Sequence, residues 1–176
     1  MPRYPVLAAL FLFATQVPSG SAGELAAVFD PIPERDAPPP ALAGHTLDGR
    51  SWRLSDRRGQ VVLASFWAGW CSPCIAEMPG LIRLAERLRG RPFALVGVNA
   101  GEPESRVRTL VRQLGIGFAV LADPANAAFA HWGVQILPTA YLIDARGRRR
   151  LIAQGPVDWD DPAVLKTIEA LMSEIR

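Results

Sequence analysis

The sequence predicts an α/β layered domain built on a central mixed β-sheet flanked by helices. Three observations point there. Two runs, Gln60–Trp67 and Pro92–Asn99, are β-rich and almost free of charge, as strands buried on both faces must be. Segments between and after them repeat apolar residues at helical spacing. Near the C-terminus, two apolar segments flank an Arg-Gly turn as a hairpin, which adds antiparallel strands to otherwise parallel ones.

Residues 1–22 read as a signal peptide, or as an anchor if uncleaved. Arg3 supplies the positive end, Val6–Ala14 is unbroken apolar sequence, and Gly20-Ser21-Ala22 offers the small residues a peptidase needs. That apolar stretch is short for a permanent span. No cysteine lies near the cleavage region, which excludes a lipid-modified N-terminal cysteine. Residues 23–36 are rich in Pro and Ala and read as a linker, and the domain occupies 37–176. Its first feature is an N-terminal β-hairpin, signalled by Asp48-Gly49 between the short alternating segments of Thr46–Trp52.

The strand Gln60–Trp67 follows. From about Ser72 to Arg89, Ile75, Met78, Leu81, Ile82, Leu84, Ala85 and Leu88 mark a helix that stops at Gly90, with Pro79 predicted to kink it. After the second buried strand come a helix over Pro103–Leu114 stopped by Gly115, a short strand at Phe118–Leu121 and a short helix at Pro124–Trp132. Thr139–Asp144 and Arg149–Gln154 form the hairpin, and Pro162–Ile175 a closing helix capped by Asp160 or Asp161.

Apolar residues make up 49% of the 176 and charged residues 20%, the balance of a globular chain. The formal net charge is only +2, and the one dense basic run, Arg146–Arg150, falls on a hairpin turn. That argues against a nucleic-acid partner.

The chemistry concentrates in the only two cysteines, Cys71 and Cys74. Export would let a disulfide persist. Yet a bridge over two intervening residues closes too small a loop to stabilise the fold much, so the pair reads as reactive rather than as a clip. Structural zinc needs about four ligands from Cys and His. Here the only histidines are His45 and His131, so no metal site of that kind is expected. A Cu(I) site on the two sulfurs stays open. The pair lies past the end of a buried strand, in the first turn of a helix, where unpaired N–H groups and the helix dipole favour a thiolate at Cys71. Cys74, three residues on, lies on the same face and can resolve a mixed disulfide. Pro73 suits a first-turn position and stiffens the loop between the sulfurs.

Phe66-Trp67-Ala68, then Trp70-Cys71-Ser72-Pro73-Cys74, then Glu77-Met78-Pro79, resembles the active-site region of the TlpA/ResA-like thioredoxin family. These are exported thiol–disulfide oxidoreductases related to the cytochrome c maturation thioredoxins. Val96–Asn99, Gly133–Thr139, Leu142–Asp144 with Gly147, and Gly155–Trp159 match further segments in order. The resemblance implies a thioredoxin-like fold, a redox disulfide between Cys71 and Cys74, and a cis bond between Leu137 and Pro138. That bond would set backbone groups beside Cys71 to dock a substrate chain. Trp70 and Pro73 join Leu137 and Pro138 as the implied substrate face.

Ordinary thioredoxins carry a buried Asp six residues before the first cysteine, where this chain has Ser65. Glu77 matches the glutamate implicated instead and could relay the proton of Cys74; the plain alternative is a solvated helix carboxylate. Trp132 and Trp159 read as packing residues, and Arg106, Arg108 and Arg112 as a solvated face.

Together these give an exported, periplasmic or otherwise extracytoplasmic protein, soluble after cleavage and membrane-anchored without it. It would reduce partner-protein disulfides, with apocytochromes or copper proteins as clients and a membrane thiol donor to recharge it. No cofactor is expected. The alternative is a Cu(I) metallochaperone using the same sulfurs. A peroxidase on this fold is a weaker reading, since no separate peroxidatic motif is present.

Overall fold

The computed structural model describes residues 28–33 and 39–175. Its main sheet has six strands, in the order β1 (Asp30–Pro31), β8 (Arg149–Gln154), β7 (Thr139–Ile143), β4 (Val61–Trp67), β5 (Phe93–Ala100) and β6 (Ala119–Asp123). The centre is β4, with all seven residues buried. It pairs in parallel with β5 and antiparallel with β7. Beyond β5 lies β6, and beyond β7 lies β8, so the sheet is mixed as expected.

Alternation along β4 feeds two cores. Val61, Leu63 and Trp67 pack on one face with α1 (Ser72–Arg87), α2 (Glu104–Leu114) and α4 (Pro162–Ser173). Val62, Ala64 and Phe66 pack on the other with Trp52, Val98, Trp132 and Tyr141. Trp132 sits just past the short helix α3 (Ala127–His131), and both it and Trp159 are buried packing residues. The N-terminal hairpin is present as β2 (Ala43–His45) against β3 (Ser51–Arg53), with Gly49 at φ 83° in its turn. A bridge from Thr46 to Leu121 lays this hairpin on β6, covering an edge that would otherwise offer unpaired backbone groups.

Boundaries shift where side chains intervene. The carboxylate of Asp123 accepts from the Ala127 and Phe129 N–H groups, so β6 runs to Asp123 and α3 starts late, after Asn126 at φ 55°. Gly115 ends α2 in the left-handed conformation, and Asp161 caps α4 through the Ala163 N–H. Helix α1 continues through Pro79, whose ring lies on the exposed side.

The Pro/Ala-rich segment is not a linker throughout. Asp30 and Pro31 form β1, antiparallel to β8, and Phe29 is 1% exposed against Trp159, with ring centroids 6.1 Å apart. One large aromatic offsets the local proline composition by filling a gap in the core. Proline at this edge costs no inner ladder bond. The leader, residues 1–22, lies outside the described residues, as do 23–27 and 34–38.

Candidate active site

Strand β4 ends at Trp67, and Ala68-Gly69-Trp70 carries the chain to α1. Cys71 occupies the N-cap position, and its Sγ accepts the Cys74 N–H at 3.3 Å. The two cysteines are disulfide-bonded, with an S–S distance of 2.10 Å. They differ in access: Cys74 is wholly buried, whereas Cys71 retains 5% exposure. Beside it Trp70 is 68% exposed, while Trp67 is core. Pro73 is exposed in the first turn.

Sheet register brings the second half of the site alongside. Phe66 pairs with Thr139, so Pro138 lies level with Trp67 at the sheet edge that carries the disulfide. The Leu137–Pro138 bond is cis. Pro138 is buried and its carbonyl accepts from Gly155 N–H at 2.9 Å, while Leu137 is half-buried against both cores. Ile136, next to it, is 50% exposed; it and Trp70 are the exposed large hydrophobic residues among those described.

Glu77 is not a solvated carboxylate. It is 8% exposed, and its Oε2 accepts from the Val157 N–H at 3.0 Å. Burial pushes its pKa up from 4.5 to about 7, against the lowering pull of the Val157 N–H and the Trp159 indole. The indole N–H acts on it without making a hydrogen bond of good geometry. The covering segment, Gly155–Trp159, fits closely because Gly80 has no side chain; a Cβ there would lie 3.1 Å from that of Trp159. Pro73, Glu77, Val157 and Trp159 line a groove of about 430 Å³, flanked by a two-pronged ion pair from Arg83 to Asp160.

Ser65 lies on the α1 side of β4 by strand alternation, fully buried, and its hydroxyl has no hydrogen-bond partner among the described residues. No group of three or more His, Cys, Asp or Glu that could hold a metal occurs among the described residues. No described helix is long and apolar enough to cross a membrane.

One residue at this edge, Glu102, escapes sequence reading. Glu102 is 4% exposed, and its Oε2 accepts from the Gly69 N–H at 2.6 Å and from Asn99 Nδ2 at 2.8 Å. Arg106 donates to its Oε1 at 3.1 Å. The signal available was positional: polar residues past the C-terminal end of a parallel strand neighbouring the one that leads to the cysteines.

Residues 30–151 match the AhpC/TSA family. The thiol-disulfide oxidoreductase ResA of Geobacillus thermodenitrificans (strain NG80-2) is 35% identical over 115 residues, covering 65% of this chain and 66% of that protein. ResA of Bacillus anthracis is 33% identical over 102 residues, covering 58% and 59%. The chain thus spans just under two thirds of the first relative's length and less of the second's. Among solved structures, a protein assigned as thiol:disulfide interchange protein DsbE from Chlorobium tepidum superposes with a TM-score of 0.71 at 30% identity, over 77% of this chain and 95% of that one. A secreted thiol-disulfide isomerase from Corynebacterium glutamicum gives 0.73 at 25% identity, over 93% and 99%. The fold is thioredoxin-like, as the sequence motifs imply.

Proposed function

The chain belongs to the AhpC/TSA family of thioredoxin-like proteins, and from that membership we propose that it is a thiol–disulfide oxidoreductase acting on partner proteins through Cys71 and Cys74. The observation that carries the reading is the asymmetry of the disulfide. One sulfur lies at a helix N-terminus beside an exposed tryptophan, and the other is wholly buried behind it.

In the reducing direction, the Cys71 thiolate, favoured by the helix N-terminus, attacks one sulfur of a client disulfide. A Cys71–client bond forms, the client S–S bond breaks, and the released client thiolate takes a proton from water. Cys74 then passes its proton to Glu77 and attacks Cys71 Sγ. The intramolecular disulfide forms and the second client thiolate leaves, to be protonated in turn. The client gains two electrons and two protons, which the dithiol loses. Glu77, buried and with its pKa near 7, is matched to holding and releasing that proton at neutral pH. Trp70, Pro73, Leu137 and Pro138, with Ile136, make the face on which an extended client segment docks.

The working direction is reduction, as the resemblance to exported reductants implies; the site of action is extracytoplasmic, which the signal-like leader and the secreted relative from Corynebacterium support. Clients are proteins whose cysteines must be reduced before a cofactor is loaded, such as apocytochromes or copper proteins, and a membrane thiol donor restores the dithiol. The rival use of the same sulfurs is Cu(I) delivery. The test mixes the reduced full chain with a model protein disulfide and, separately, titrates it with Cu(I). Stoichiometric reduction that vanishes in Cys71→Ser supports exchange; tight Cu(I) binding with no disulfide reduced overturns it.

A further inference from the structure

The carboxylate of Glu102 reaches the reactive loop through a single peptide unit. Its Oε2 accepts the Gly69 N–H at 2.6 Å, while the carbonyl of the same peptide, from Ala68, accepts the Cys71 N–H at 3.2 Å. A peptide unit is rigid and planar, so fixing one edge fixes the other. An ionised acceptor on the N–H side also polarises the carbonyl toward its own donor. The carboxylate is itself held: Asn99 Nδ2, wholly buried at the end of β5, donates to Oε2 at 2.8 Å, and Arg106 donates to Oε1. Gly69 is the residue this contact requires, because a Cβ there would overlap Leu110 and lie 2.9 Å from Glu102 Oε1.

Structural economy alone does not explain a buried carboxylate here. Burying a charge is costly unless it is paired and hydrogen-bonded, and an apolar residue would fill the space more cheaply. What the carboxylate supplies is a fixed strand-to-helix turn, with Cys71 set at the N-cap where Cys74 can reach it. We propose that Glu102 is a positioning residue for the redox pair: it preorganises the Ala68–Cys71 turn so that the two sulfurs close on each other. The assignment rests on the exchange reading for its purpose, but not for its test.

The test is the equilibrium of the full chain with glutathione, in which two glutathione thiols reduce the Cys71–Cys74 bond and are joined as glutathione disulfide. Loosening the turn lowers the effective concentration of one sulfur at the other, and removing the negative charge favours the dithiol, so both effects act in one direction. Glu102→Gln keeps an acceptor and loses the charge; its constant for closing the disulfide falls about fivefold, as expected for a charge-assisted bond made neutral. Glu102→Ala falls about tenfold or more. The Gly69 amide proton, shifted downfield in wild type by its bond to a carboxylate, moves upfield in Glu102→Gln. Glu104→Gln removes a charge at the exposed start of α2 without touching the turn, and keeps the wild-type equilibrium.

Should Glu102→Ala fail to fold, Glu102→Gln with its amide signal decides. Wild-type glutathione equilibria in the Glu102 variants, with only a lower melting temperature, overturn the proposal, as does an equal shift in Glu104→Gln. Because glutathione needs no protein client, a wild-type protein that reduces no client overturns the exchange reading and leaves this result standing.

Discussion

Replacing Glu77 by glutamine keeps the shape and an acceptor for the Val157 N–H but removes an ionisable group that burial holds at a pKa of about 7 instead of 4.5. The interval corresponds to about 3 kcal/mol by which the folded state disfavours the charged form. The sign follows from proton counts. Below the unfolded value both states are protonated and no penalty is felt. Between 4.5 and about 7 the unfolded chain has lost the proton that the native state keeps, so stability falls as pH rises. Above about 7 both are ionised and the loss is complete. The assay is urea unfolding, with the disulfide intact, from pH 4.5 to 8.5 for wild type and Glu77→Gln. Taking the difference at each pH cancels the other titrating groups. The variant should match wild type within about 0.5 kcal/mol at the acid end and exceed it by roughly 2–3 kcal/mol at the alkaline end. In parallel, its disulfide exchange at pH 7 should fall by roughly 10-fold or more, as for loss of a general base. A difference that stays flat across pH would refute the claim that Glu77 is buried and poised.

Three other substitutions test the frame around the site. Gly69→Ala forces a Cβ into Leu110 and should lower stability by about 1–3 kcal/mol in urea unfolding. Phe29→Ala empties a core position filled from the Pro/Ala-rich segment and should cost about 3 kcal/mol by the same assay; no loss would mean that this segment is a tether. Asp144 is 3% exposed. Burial alone would raise its carboxyl, but the Arg148 N–H and the Arg148 and Arg150 side chains hold it below the ordinary value. Its contribution should therefore be present above the unfolded pKa and vanish as pH falls through the lower folded one. Asp144→Asn should lose about 1–3 kcal/mol at pH 7 and progressively less as the pH is lowered through the acid range, measured by thermal unfolding.

Much of this arrangement was legible in the chain, for local reasons. Val61–Trp67 reads as a central strand because its burial on both faces leaves no place for charge. Gly115 and Asp161 mark helix ends because backbone geometry and capping are properties of single residues. Cys71 and Cys74 are legible from their spacing and place at a helix start, and the Leu137-Pro138 pair through motif resemblance; the register of β4 with β7 brings their elements to one edge. What stayed hidden depends on distant partners. The burial of Glu77 is set by Val157 and Trp159, about eighty positions on, so helical spacing alone left a solvated carboxylate equally open. The role of Glu102 depends on a turn thirty-three residues earlier. Phe29 was lost in a proline-rich window whose composition reads as linker until the gap beside Trp159 is known.

The central claim is that Cys71 is the attacking sulfur of a reversible pair and Cys74 the resolving one. The direct measurement is intact mass after mixing reduced Cys74→Ser with a peptide carrying one internal disulfide, beside reduced Cys71→Ser as its counterpart. Cys74→Ser should gain the mass of one peptide and lose it again on adding dithiothreitol, while Cys71→Ser, whose remaining sulfur is wholly buried, stays unmodified. Equal capture by both variants, or capture by Cys71→Ser alone, would contradict the assignment.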